Sequence, residues 1–133
     1  MLSRQKTLLL FLLSLALHAC GPTAEEAQGV EAIVNKINTR CPVMIDSETR
    51  LEYLRVLPDP GLQYSYRLVN LSDIKDTLAF KNLLLPGLLA AMRTDPDLQS
   101  MRDKSYTIIH RYESAEGRYL MSVRILPADY KTP

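Results

Sequence analysis

Only four side chains in the 133-residue sequence are of kinds that do thiol, imidazole or soft-metal chemistry near neutral pH: Cys20, Cys41, His18 and His110. A cysteine nucleophile needs a neighbouring base or positive charge to become a thiolate. A thiol-dependent enzyme would therefore have to pair Cys41 with His110, the one histidine beyond the first twenty residues. The competing reading makes Cys41, followed by Pro42, a small buried hydrophobe at the end of a helix. Zinc needs three or four His, Cys or carboxylate ligands at suitable spacing, which this set does not supply, so no metal is expected. No Gly-x-Ser-x-Gly elbow and no Gly-x-x-x-x-Gly-Lys-Ser/Thr loop occurs, so neither a serine triad nor a phosphate-binding loop is indicated. No cofactor is expected and the reading is non-enzymatic.

The charged residues narrow the choice further. Asp95, Asp97 and Asp103 lack the central glycine and closing glutamate of a calcium loop, and Asp95 before Pro96 reads instead as a helix cap. Glu113 and Glu116 flank a turn, where solvent leaves an acid–base pair with ordinary acidity. One constellation remains. Period-two alternation sets Arg67 opposite Tyr64 and Tyr66, Arg111 opposite Ile108, and Arg124 opposite Tyr119, Met121, Val123 and Ile125. Arg67, Arg111 and Arg124 then share a sheet surface, joined by Arg55 and with Tyr53 beside them. Guanidinium groups take carboxylate or phosphate in a planar fork, so this surface is a candidate site for an acidic protein or an anionic envelope component. The plainer reading is that arginine keeps an exposed sheet face soluble.

These groups must be held by a small set of elements. Val30, Ile33, Val34 and Ile37 recur at helical spacing and predict a helix over Val30–Thr39. The runs TRLEYLRVL and LQYSYRLVN, separated by Pro58-Asp59-Pro60-Gly61, predict a hairpin. Residues 72–92 predict a longer helix capped by Ser72 or Asp73, kinked or divided by Pro86, and a short helical turn follows through Arg102. SYTIIHRYE and RYLMSVRIL predict a second hairpin. The order helix-hairpin-helix-hairpin implies an α+β two-layer sandwich: a four-stranded antiparallel sheet with helices on one face.

The N-terminus reads as an address. Arg4 and Lys6 precede an apolar run, Leu8 to Ala19, that is shorter than the roughly 20 residues a spanning helix needs. Leu17-His18-Ala19-Cys20 resembles the bacterial lipobox, His18 replacing the usual small residue. The resemblance implies a signal peptide over 1–19, acylation at Cys20 (palmitate-type chains), a tether over 20–29 and a single domain over 30–133. Gly21 rather than aspartate after the cysteine implies forwarding to the outer membrane, with the domain facing the periplasm. Loss of Arg4 and Lys6 takes the basic residues from 16 to 14 against 15 acidic ones, so nothing points to nucleic acid as a partner.

Cys41-Pro42, Thr49-Arg50-Leu51, Tyr64-Ser65-Tyr66, Leu85-Pro86 and Met101-Arg102-Asp103-Lys104 also resemble a group of small exported bacterial proteins that bring no activity with them. The expectation is therefore a lipid-anchored envelope module that binds or supports a partner. Its alternatives are an inhibitor or immunity protein against a toxin or hydrolase, and the Cys41–His110 thiol enzyme. Processing is directly testable: Cys20→Ser should release the protein into the soluble fraction or leave it uncleaved, and intact-mass analysis showing an unmodified Cys20 in the mature chain would overturn the anchor.

Overall fold

The computed structural model describes residues 24–131; Cys20 and the segment read as a signal peptide lie outside them. The order is α1 (Ala24–Asn38), β1 (Val43–Met44), β2 (Thr49–Leu57), β3 (Gly61–Leu68), α2 (Thr77–Thr94), a 3-10 turn (Pro96–Leu98), α3 (Gln99–Asp103), β4 (Thr107–Glu113), β5 (Tyr119–Ile125) and α4 (Pro127–Lys131). The protein is α+β, as the sequence implies. Its sheet, however, has five strands in the order β1-β2-β3-β4-β5 and is mixed rather than four-stranded and antiparallel. Both hairpins form, but β3 and β4 run parallel, with Leu62 beside Ile108 and Tyr66 beside Tyr112. Parallel neighbours need a long crossover, and the segment through α2 and α3 supplies it. Sequence periodicity defines each hairpin but not the sense in which two hairpins join.

Helix α1 starts at Ala24, so it takes in part of the stretch read as a tether. Val30 and Val34 are buried and Ile37 packs beside them, the i, i+4, i+7 face of an amphipathic helix. The cap of α2 is Asp76, whose carboxylate accepts from the Ala79 N–H at 2.9 Å, rather than Ser72 or Asp73. Pro86 does not divide α2, which runs unbroken through it with the proline exposed. Asp95 accepts from the Asp97 N–H and Pro96 opens the 3-10 turn, the arrangement its sequence predicts.

The inner sheet face carries Leu51 and Leu54 from β2, Leu62, Tyr66 and Leu68 from β3, Ile108 and Tyr112 from β4, and Met121, Val123 and Ile125 from β5. Val30 and Val34 of α1, Met92 of α2, Met101 of α3 and Tyr130 of α4 complete this core. Two bulges interrupt the alternation. One sits between Leu51 and Tyr53, the other opposite Tyr112 and Glu113, where Met121 and then Tyr119 are the successive partners. The second skips Leu120 and turns Tyr119 away from the core side that a strict period of two assigns to it. Tyr119 is 55% exposed, with the Arg111 guanidinium 4.6 Å from its ring centroid.

Past β1, the edge of β2 is closed by a side chain. Asn38 donates from Nδ2 to the Leu54 carbonyl at 2.8 Å and accepts on Oδ1 from the Leu54 N–H at 2.7 Å. Its amide thus takes the position a sixth strand would occupy and ties α1 to the sheet. Asn38→Ala should cost about 1–3 kcal/mol, since both Leu54 backbone groups lose their partner. Asn38→Gln, longer by a methylene, should not rescue it. Denaturant midpoints of the three proteins check this; an Asn38→Ala midpoint equal to wild type would refute it.

Candidate functional site

The parallel pair puts aromatic rings side by side on the inner face. Tyr64 stacks on His110 with centroids 5.2 Å apart, Tyr66 on Tyr112 at 5.0 Å, and Tyr66 on His110 at 5.8 Å. Tyr66 Oη and His110 Nδ1 share a hydrogen bond at 3.2 Å. Burial holds the imidazole neutral, pushing its pKa down to about 4, and pushes the Tyr66 and Tyr64 hydroxyls well above the ordinary phenol value.

These rings floor a groove. Helix α1 lies against β2 and α2 towards β5, and over β3 between them are two cavities, on whose floor Tyr64 is half-buried and Tyr66 and His110 are buried. Towards α1 lies a cavity of about 440 Å³, walled by Ile33, Lys36, Ile37 and Arg40, floored by Leu54, Leu62 and Tyr64, and closed by Asp97, Leu98 and Met101. Towards α2 lies one of about 400 Å³, walled by Leu88, Ala91 and Met92, floored by Tyr64, Tyr66, Ile108 and His110, with Ile45 and Asp95 at its rim. Tyr64 and Leu98 line both, so the two adjoin. The rim is apolar and accessible: Ile45 is 56% and Ile33 41% exposed. Its charges are divided, Lys36 on α1 and Arg40 just past its end, Asp95 and Asp97 at the 3-10 turn. Such a groove suits an apolar segment of a partner better than a small polar substrate.

The other face carries the arginines singled out in the sequence. The register aligns Arg55, Gln63, Ile109 and Arg124 in one row, and Arg50, Arg67 and Glu113 in another. The β2 bulge brings Glu52 into the second row, giving an alternating ladder: Arg50–Glu52 at 2.6 Å, Arg67–Glu52 at 3.7 Å, Arg67–Glu113 at 3.8 Å and Arg111–Glu113 at 3.2 Å. The Arg67 contacts are too long for hydrogen bonds, and its Nε is buried without a partner. Gly117, at φ +84° in the β4–β5 turn, makes room for it, since a Cβ there would stand 3.2 Å from Arg67 Nη2. Arg67 and Arg111 are thus engaged by carboxylates, which the reading by alternation did not foresee. Arg124 is exposed and Arg55 donates to Gln63 Oε1 at 3.1 Å; among the described residues neither has an ion pair within 4 Å.

Cys41 is a half-buried free thiol whose pKa is raised by burial and by the Glu52 charge, opposite to the shift a nucleophile needs. His110 is committed to the aromatic stack on β4, and β3 and β2 lie between it and β1, the strand that follows Cys41. The structure does not bring the two together. Glu116 is engaged too, accepting from the Ser72 and Ser114 hydroxyls, which hold its carboxyl below the usual range. The groove itself went unread in the sequence; the one signal for it was the run of Tyr64, Tyr66, His110 and Tyr112 at period two on neighbouring strands.

No family model and no curated protein matches the chain. Three solved structures share its α+β fold. A Pseudomonas aeruginosa protein described as secreted superposes with a TM-score of 0.60 at 6% identity, over 79% of this chain and 92% of that one. The pilotin EpsS of the Vibrio vulnificus type 2 secretion system gives 0.59 at 10% identity, over 84% and 100%. The type II secretion system pilotin AspS of Vibrio cholerae gives 0.55 at 11% identity, over 82% and 99%. At these identities the likeness is one of fold.

The His110 shift fixes a pH dependence. Its folded pKa lies below the unfolded value of about 6.5, so the unfolded chain binds the extra proton first and stability falls as pH drops from 6.5 towards 4. The loss should reach about 3 kcal/mol, and His110→Gln should flatten it. Denaturant titrations across that window test this; identical slopes in both proteins would refute it.

Proposed function

We propose that this protein is a non-enzymatic, lipid-anchored envelope module that docks an apolar segment of an envelope protein in the groove between α1 and α2. The carrying observation is the groove itself: two adjoining cavities floored by stacked aromatic rings between α1 and α2, with Ile33 and Ile45 exposed at the mouth. The fold likeness to two pilotins, components of type II secretion systems, supports a protein partner in the envelope. The resemblance of Leu17-His18-Ala19-Cys20 to a lipobox, with Gly21 after it, supports an anchor in the outer membrane with the domain facing the periplasm. Lys36 and Arg40 opposite Asp95 and Asp97 would orient the docked segment, favouring acidic residues on its α1 side and basic ones on the other. Catalysis plays no part in this reading, because the Cys41 thiol is raised and unpaired with a base while His110 serves the floor.

Ala91→Glu and Ile45→Glu place a carboxylate on the groove wall and rim at exposed positions, where folding should change by under about 0.5 kcal/mol. Each should abolish capture of the partner when the anchored protein is the bait in detergent-solubilised membranes. Gln at Arg67, Arg111 and Arg124 together should leave capture intact. Loss of capture in the arginine variant with both groove variants unaffected would move recognition to the outer sheet face.

A further inference from the structure

The two most exposed large apolar side chains among the described residues, Leu83 at 74% and Leu78 at 67%, stand on the same helix, α2. At 100° per residue they share one half of the helix surface with Ala79, Pro86 and Ala90, all exposed. That half points away from the side that lines the groove. Asn82 and Arg93, also exposed, lie on the same half, so the strip is apolar apart from these two. Helix α2 carries Lys81 and Arg93 and no carboxylate, and Lys75 precedes it. The nearby Asp73 and Asp76 are exposed and accept from the Ile74 and Ala79 N–H groups; Lys75, Lys81 and Arg93 outnumber them.

An apolar strip flanked by cations complements a surface that is oily below and negative above, which is the chemistry of an anionic leaflet. A second copy is a poor occupant, because a two-fold contact along α2 would set Lys81 and Arg93 against the same cations. Chain length limits how far the start of α1 can stand from the leaflet. Cys20 stands four residues before the start of α1, and four extended residues span at most about 14 Å. We infer that α2 is a lipid-contacting face: with acylated Cys20 in the bilayer, Leu78 and Leu83 enter the headgroup region of an anionic leaflet while the groove stays open to the protein partner. This rests on the anchor reading of Cys20.

The test uses the mature acylated protein in a Cys41→Ser background, reconstituted into phosphatidylethanolamine–phosphatidylglycerol vesicles. An environment-sensitive dye is placed by Leu78→Cys, Leu83→Cys or, at the groove mouth, Asp97→Cys. Spin-labelled lipid should quench the dye severalfold more at 78 and 83 than at 97. Vesicles lacking phosphatidylglycerol, or Lys75→Gln with Lys81→Gln, should reduce that difference. Equal quenching at the three positions, or a dye at 83 shielded by a protein that crosslinks to it, overturns the lipid face while the anchor stands. Protein that does not float with vesicles at all overturns the anchor and, with it, this inference.

Discussion

Parallel strands cannot be joined by a tight turn, and the pairing of β3 with β4 is the constraint from which the remaining architecture follows. After Leu68 the chain must return to the end of the sheet where β3 began before Thr107 can lie beside Gly61. The return path is α2, the 3-10 turn and α3, and it covers the β5 side of the sheet. Helix α1 covers β2, fastened there by Asn38. Over the inner face of β3, Leu98 and Met101 from the end of the crossover close part of the gap between α1 and α2, and the groove is what these elements leave unfilled. The same parallel register places Tyr64 beside His110 and Tyr66 beside Tyr112, which is why the uncovered strip is floored by stacked rings rather than by aliphatic side chains.

The two bulges have a comparable influence on the opposite face. Without the extra residue in β2, Glu52 would fall out of step with Arg50 and Arg67. Without the skip at Leu120, Tyr119 would face the core and Arg111 would lose its aromatic partner. A face that alternation alone would make uniformly positive carries a ladder of three arginines and two glutamates. Partly exposed pairs of this kind contribute at most about 1 kcal/mol each. Their effect here is on potential rather than stability: they leave Arg124 and Arg55 as the cations of that face without a carboxylate partner.

How far the sequence could be read follows from these same devices. Local signals were legible: the 3.6-residue period of Val30, Val34 and Ile37, the proline-glycine turn between β2 and β3, the Asp95-Pro96 cap, and the sides taken by Arg67, Arg111 and Arg124. Non-local ones were not. Nothing in LQYSYRLVN or SYTIIHRYE states whether the two strands run together or opposed. A two-residue strand such as β1 carries no period to detect, and a bulge shifts alternation without changing composition. The groove depends on the first of these, which is why the candidate site drawn from single side chains fell on the arginine face and missed the aromatic floor. The lipobox reading concerns residues outside 24–131 and stands on the sequence alone.

The Asn38 amide on the β2 edge bears on how such a domain behaves among its own kind. Wherever copies of a sheet-bearing domain are concentrated, neighbours meet often, a condition that favours growth of sheets from chain to chain. Open strand edges are the templates for that growth. Here β1 takes the first positions of the edge and the amide occupies the donor and acceptor of Leu54. An incoming strand would have to evict a side chain of its host's own first helix before it could add a rung. The amide closes the stretch of β2 that β1 leaves free, so growth on that side has only the two residues of β1 to start from.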